Sequence, residues 1–240
     1  MRPPLAAVLF DLDDTLHDDT ATYRQAAQCV AADVAEKYGC DAATLFEAYV
    51  TQAERFWHEL APDALGAPLA GVRARLWAAA LGAVALHDAD LPATCADAYK
   101  RYRREALVLW PGALELLTHL RARGLKLGLI TNGFAETHRE KIALLALEDA
   151  FDELLIADEV GMLKPDPRLF RLAAERLGVE PEACAMVGDR FERDVRGAQV
   201  AGMFTVWMNV RAEALPSTGP QPDAVVTGID AVEAALPIRP

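Results

Sequence analysis

Near its start the chain reads Val8-Leu9-Phe10-Asp11-Leu12-Asp13-Asp14-Thr15-Leu16, a short apolar run followed at once by three carboxylates and a hydroxyl. An uninterrupted apolar segment of this length, bounded by turn-forming acids, predicts a strand buried on both faces, as in the interior of a parallel sheet. In extended backbone side chains alternate with period two, so Asp11 and Asp13 share a side while Leu12 points away. Two like charges held that close require a cation or a proton, which separates a working site from an ordinary acidic turn.

The rest of the chain divides by rhythm. Residues 18–106 read as helical throughout. Tyr23, Ala27, Val30, Val34 and Tyr38 fall at helical spacing, with Gly39 as a stop. A second helix is expected through Leu45, Tyr49, Phe56 and Leu60 before Pro62, a third over Leu69 to Leu86, and a fourth over Ala93 to Ala106. From Trp110 onward strands and helices alternate, with strands expected near 125–130, 154–157, 183–187, 204–207 and 224–227. Helices are expected between them, including one over Glu192 to Ala201. Such alternation implies a parallel sheet with helices on both faces, an α/β three-layer core of Rossmann-like type. The expected organisation is a core of residues 1–17 and 107–240 interrupted by an all-helical insertion at 18–106. Sites in such sheets lie beyond the carboxyl ends of the strands, where Asp11, Thr131 and Asp189 would fall.

Composition narrows the function classes. A chain of 240 residues buries a sizeable core, and its 52% hydrophobic content is broken by charge into segments. No window approaches the roughly 20 apolar residues of a membrane span, and Ala6 to Phe10 is too short for the apolar part of a secretory signal. A soluble, cytoplasmic protein without membrane partners is expected. Cys29, Cys40, Cys95 and Cys184 form no CxxC pair and are expected to be buried free thiols. A net charge of -12 opposes binding to nucleic acid, whereas a small phosphorylated metabolite stays compatible because a local metal reverses the field.

Four segments in order, LFDLDDTL at 9–16, LITNG at 129–133, LKPDP at 163–167 and VGDRFERD at 187–194, resemble the haloacid dehalogenase superfamily. The helical insertion after the first motif resembles the small cap of its first subgroup. Taken singly, each segment also reads as a turn or a solvated loop; their joint placement after expected strands is what carries the resemblance. Phosphoryl transfer asks for a placed nucleophile, neutralisation of the equatorial oxygens and control of the leaving group's proton. The resemblance implies Asp11 as nucleophile, forming an aspartyl-phosphate, and Asp13 as general acid and then base. Thr131, Asn132 and Lys164 are implied as phosphate-binding groups, Thr131 and Lys164 also counting with the catalytic set. The implied ion is Mg2+, held by the Asp11 carboxylate, the Asp13 carbonyl and Asp189, with Asp194 orienting waters or Lys164.

Asp13 favours phosphate over halide, because dehalogenases of the superfamily lack the second carboxylate. A phosphosugar mutase, a 2-haloacid dehalogenase and an idle metabolite-binding member are the alternatives. Thr131-Asn132-Gly133 with His138-Arg139-Glu140-Lys141 is similar to the nucleotidase and acylneuraminate phosphatase branch. His17 reads equally as an entrance residue or a plain loop histidine, and Arg190 as a rim cation. Arg55-Phe56-Trp57-His58 reads as helix core with an exposed edge, and Lys100-Arg101-Tyr102-Arg103-Arg104 as a solvated face. The expected partner is a small phosphorylated metabolite, and the expected assembly a monomer or homodimer.

Overall fold

Six strands form one sheet in the order β3-β2-β1-β4-β5-β6, every pairing parallel. The computed structural model describes residues 2–59 and 69–238. The strands are β1 (Ala7–Phe10), β2 (Lys126–Thr131), β3 (Glu153–Ile156), β4 (Cys184–Gly188), β5 (Phe204–Met208) and β6 (Ala224–Val226). The helices, in chain order, are α1 (Asp19–Tyr38), α2 (Ala42–His58), α3 (Leu69–Ala83), α4 (Leu91–Ala106) and α5 (Ala113–Ala122). They continue with α6 (Ala135–Leu144), α7 (Ala157–Val160), α8 (Pro167–Leu177), α9 (Arg196–Ala201) and α10 (Val232–Ala235).

The α/β architecture expected from the alternation is present. β1 lies at the centre, its Phe10 registered with Leu129 on one neighbour and Val187 on the other. All four β1 side chains are fully buried, which explains the unbroken apolar run. The ladder continues one residue further, where the Asp11 amide donates to the Val187 carbonyl at 2.9 Å. Leu9, Ile130, Leu155 and Met186 pack with Leu169, Phe170, Ala173 and Leu177 of α8 and Ala198 of α9. The strand order reverses direction of winding between β1 and β4, so the carboxyl ends of β1, β2 and β4 open side by side at the switch point.

The chain separates into two compact units, residues 1–18 with 108–240, and residues 19–107. The second unit is all-helical and has its own core, centred on Trp77, Tyr49, Leu45, Leu81 and Tyr99. Tyr49 and Trp77 stack at 3.9 Å between ring centroids. Asp41 caps α2 by accepting from the Thr44 amide at 2.7 Å.

Several local expectations change. The segment 192–201 is two pieces: a π-helical turn at Phe191–Val195, then α9. α3 ends at Ala83, and the second helix is described to His58; Leu60 and Pro62 lie outside the described residues. Arg103 does not belong to a solvated face: its guanidinium lies 2.5 Å from Asp19 Oδ1, and both side chains are largely buried. Cys95 and Cys184 are buried, but Cys29 and Cys40 are only half-buried; all four thiols are free. No described helix is long and apolar enough to cross a membrane.

Candidate active site

Asp11 follows β1 directly and is buried, with Lys164 Nζ 2.5 Å from its Oδ1. The same ammonium sits 2.6 Å from Asp194 Oδ1, so one buried lysine bridges two buried carboxylates. Burial pushes the Lys164 ammonium down, but Asp11 and Asp194 outweigh it and hold it above its ordinary range. The lysine stands on the loop between α7 and α8, and its position is set from β2. Asn132 accepts from the Lys164 amide at 2.8 Å through Oδ1 and donates to the Lys164 carbonyl at 2.9 Å through Nδ2. The resemblance implied Asn132 as a phosphate-binding group; in the structure its side chain clamps the lysine's backbone. The Lys164–Pro165 peptide is cis. Thr131 ends β2 with its side chain buried.

Asp189 and Asp194 come from β4 and the turn after it. The Asp189 carbonyl accepts from Trp207 Nε1 of β5 at 2.8 Å, and Phe191 packs edge-on against that indole. In the wide turn, the Arg196 amide reaches back five residues to the Phe191 carbonyl. That turn returns Asp194 under the end of β4, where its Oδ2 accepts from the Arg190 amide at 2.9 Å. Gly188 has no side chain because this carboxylate occupies the space: a Cβ would lie 2.4 Å from Asp194 Cγ. Arg190 is exposed, with Nε 3.3 Å from Asp189 Oδ2, as befits a rim cation.

Oxygens of Asp11, Asp189 and Asp194 lie within 4.8 Å of one another. Burial pushes the Asp189 carboxyl up to about 9, reinforced by the charges of Asp11 and Asp194. Burial likewise lifts Asp11 to about 7, partly offset by Lys164. Asp189 Oδ1 is buried and has no hydrogen-bond partner among the described residues. A hard divalent cation fits this set, because it needs oxygen donors and would satisfy the orphaned one.

Asp13 is placed differently from the others. Both of its oxygens bond Lys141 Nζ, at 2.6 and 2.7 Å, and His17 Nε2 lies 2.9 Å from Oδ1. His138 Nε2 stands 3.3 Å from Oδ2, while its Nδ1 faces the Phe134 carbonyl at 3.1 Å. Burial pushes the Asp13 carboxyl up, but Lys141, His138 and His17 outweigh it and hold it well below its ordinary value. His138 and Lys141 are three residues apart on α6 and so face the same way. Neither was singled out from sequence beyond the likeness of their segment. The available signal was two basic residues at helical spacing directly after the Thr131-Asn132-Gly133 turn. His17 is fully buried beside Asp13 and is thus not an idle loop residue. Asp14, with φ 61°, turns the other way to meet Arg211 Nη2 at 2.9 Å.

Comparison with known proteins adds to this geometry. Residues 5–202 match the model of the haloacid dehalogenase-like hydrolases. N-acylneuraminate-9-phosphatase of Mus musculus is 30% identical over 96% of this chain and 93% of its own length. Phosphoserine phosphatase of Thermus thermophilus is 48% identical over 48% of this chain, a match that spans only 45% of that protein. Among solved structures, the HAD-hydrolase YfnB from Bacillus subtilis, bound to magnesium, superposes with a TM-score of 0.76 at 23% identity, over 98% of this chain and 100% of that one. The chain belongs to the haloacid dehalogenase-like hydrolases, and the curated relatives named above are phosphatases.

Proposed function

We propose that the protein is a Mg2+-dependent phosphomonoester hydrolase acting on a small phosphorylated metabolite through an aspartyl-phosphate on Asp11. The observation that carries this reading is the gathering of Asp11, Lys164, Asp189 and Asp194, from remote parts of the sequence, at the carboxyl ends of adjacent strands. A second carboxylate, Asp13, sits two residues on in an environment of its own.

Bound Mg2+ would be held by Asp11, Asp189 and the Asp13 main chain, and supplies positive charge to the phosphate and to the crowded carboxylates. The protein's own groups then account for the chemistry. An Asp11 oxygen attacks phosphorus and the bond to the leaving oxygen breaks; Asp13, ionised in the free protein, takes up a proton once substrate is bound and passes it to the departing alkoxide. Lys164 holds both the nucleophile and the phosphate oxygens, with the Thr131 hydroxyl and the Asn132 amide completing the phosphate's donors. Water then attacks phosphorus, gives its proton to Asp13, and the bond to Asp11 breaks to release inorganic phosphate. Presence of Asp13 favours phosphate over halide as the leaving chemistry. The near full-length likeness to N-acylneuraminate-9-phosphatase supports a phosphorylated sugar or sugar acid as the substrate class.

The test is phosphate release from p-nitrophenyl phosphate with Mg2+, run beside halide release from a chloro acid. Phosphate without halide is the expected outcome. Asp11→Asn is expected to lower kcat by roughly 10³-fold or more, since it removes the nucleophile itself. Full activity in that variant would overturn the reading, and a panel of sugar phosphates would then rank the substrates of the wild type.

A further inference from the structure

We infer that Lys141 is a positioning residue that fixes the Asp13 carboxylate for its proton transfers. The inference rests on Asp13 serving as the acid and base of the proposed hydrolysis.

The terminal torsion of an aspartate is broad, so a partly exposed carboxylate turns freely unless something holds it. Asp13 is such a group: its side chain is 28% exposed, whereas Lys141 beneath it is 5% exposed. One ammonium contacts both carboxylate oxygens at nearly equal distance, which pins the plane of the group as a single-oxygen contact would not. His17 secures Oδ1 from one side and His138 stands at Oδ2 from the other. Burying a lysine is costly without a partner, so this placement serves the carboxylate rather than solvent.

A second observation comes from the neighbouring turn. Gly133 has φ 150°, and a Cβ there would fall 2.1 Å from the His138 ring. The turn that opens α6 is thus shaped to let this ring reach Asp13, and α6 presents Lys141 one turn further along the same face. Both oxygens that Lys141 Nζ bonds belong to Asp13, and it is through them that Lys141 would influence the reaction.

The experiment compares phenyl phosphate with p-nitrophenyl phosphate, esters of similar shape whose leaving groups differ in their need for a proton. The full-length protein with Mg2+ is assayed as wild type, Asp13→Asn, Lys141→Met, Lys141→Arg and the Asp13→Asn/Lys141→Met double variant. kcat/KM reports the first phosphoryl transfer, where leaving-group protonation occurs. Asp13→Asn is expected to lower kcat/KM for the phenyl ester on the order of 10²-fold, with a much smaller loss for the nitrophenyl ester. Lys141→Met is expected to show the same selective loss, about 10-fold or more, Lys141→Arg to regain part of it, and the double variant to lose nothing beyond Asp13→Asn. Equal loss on both esters, or losses that add in the double variant, would overturn the inference, the latter by showing that Lys141 binds substrate directly. If Asp13→Asn itself leaves the ratio of the two esters unchanged, the acid–base reading of Asp13 falls first. Thermal unfolding of each variant checks folding, and Lys141→Gln carries the comparison should the methionine variant not fold.

Discussion

At Gly188 the absence of a side chain is a requirement of the site. Its backbone lies over the Asp194 carboxylate so closely that a methyl would sit 2.4 Å from Cγ and 2.6 Å from Cβ. The Cβ distance matters most, because Cβ cannot swing aside as a carboxylate end can. Gly188→Ala must therefore push the wide turn away from β4, drawing Asp194 off Lys164 and loosening the lysine's hold on Asp11. Overpacking of this kind costs about 1–3 kcal/mol. The expected result is a loss of that size in urea unfolding together with at least about a tenfold fall in kcat, since the lost contact belongs to a charge-stabilising group. A variant of wild-type activity would show that Asp194 can leave Lys164 without consequence. Asn132 acts at the same scale. Its two side-chain bonds to the Lys164 backbone set the direction from which the ammonium reaches Asp11, so a residue expected to meet phosphate is also the fixture of the lysine between Asp11 and Asp194.

Elements show where sequence reading succeeds and where it stops. Buried parallel strands announce themselves as apolar runs because both faces are covered, and Ala7 to Phe10, Leu127 to Ile130 and Ala185 to Val187 are all buried. The carboxyl ends of those strands, legible as the ends of apolar runs, are where Asp11, Thr131 and Asp189 stand. The turn after β4 was not legible in this way. A π-helical turn differs from an α-helix by one residue per turn, and Phe191-Glu192-Arg193-Asp194-Val195 carries no pattern that separates the two. Nor was the Asp13–Lys141 pair, since the partners are 128 residues apart and periodicity speaks only of neighbours on one element. β5 supplies another unpredicted support, the Trp207 indole bonded to the Asp189 carbonyl. Trp207→Phe keeps an aromatic ring against Phe191 but deletes that donor. It is expected to cost about 1 kcal/mol in unfolding free energy and to raise the Mg2+ concentration needed for half-maximal activity several-fold. An unchanged metal requirement would confine Trp207 to packing.

For the whole molecule, the cost of gathering acids in a chain of net charge -12 appears as a dependence of stability on pH and metal together. Without a cation, burial raises Asp11 to about 7 and Asp189 to about 9 in the folded state, both above the ordinary carboxyl value of 3.8. Groups shifted upward contribute fully below their unfolded value, and the contribution is lost as pH rises through the folded one. Asp13 runs the opposite way: Lys141 and the histidines lower it against burial, so its contribution is present above the ordinary carboxyl value and is lost in acid. Metal-free protein is thus expected to lose Tm as pH climbs from about 5 to about 9, with the acid limb beginning only below the ordinary carboxyl range. Mg2+ bound to the ionised carboxylates would have to displace protons from them, so the stabilisation expected from it grows over the same interval in which the metal-free protein weakens. At a hundredfold excess over Kd the ion contributes about 2.7 kcal/mol, roughly 5–10 °C in Tm for a chain of this length. Thermal unfolding in EDTA and in Mg2+ across that pH range measures both limbs. A Mg2+-induced rise that stays constant with pH would mean that Asp11 and Asp189 are already ionised in the metal-free fold, and that Lys164 alone balances the cluster.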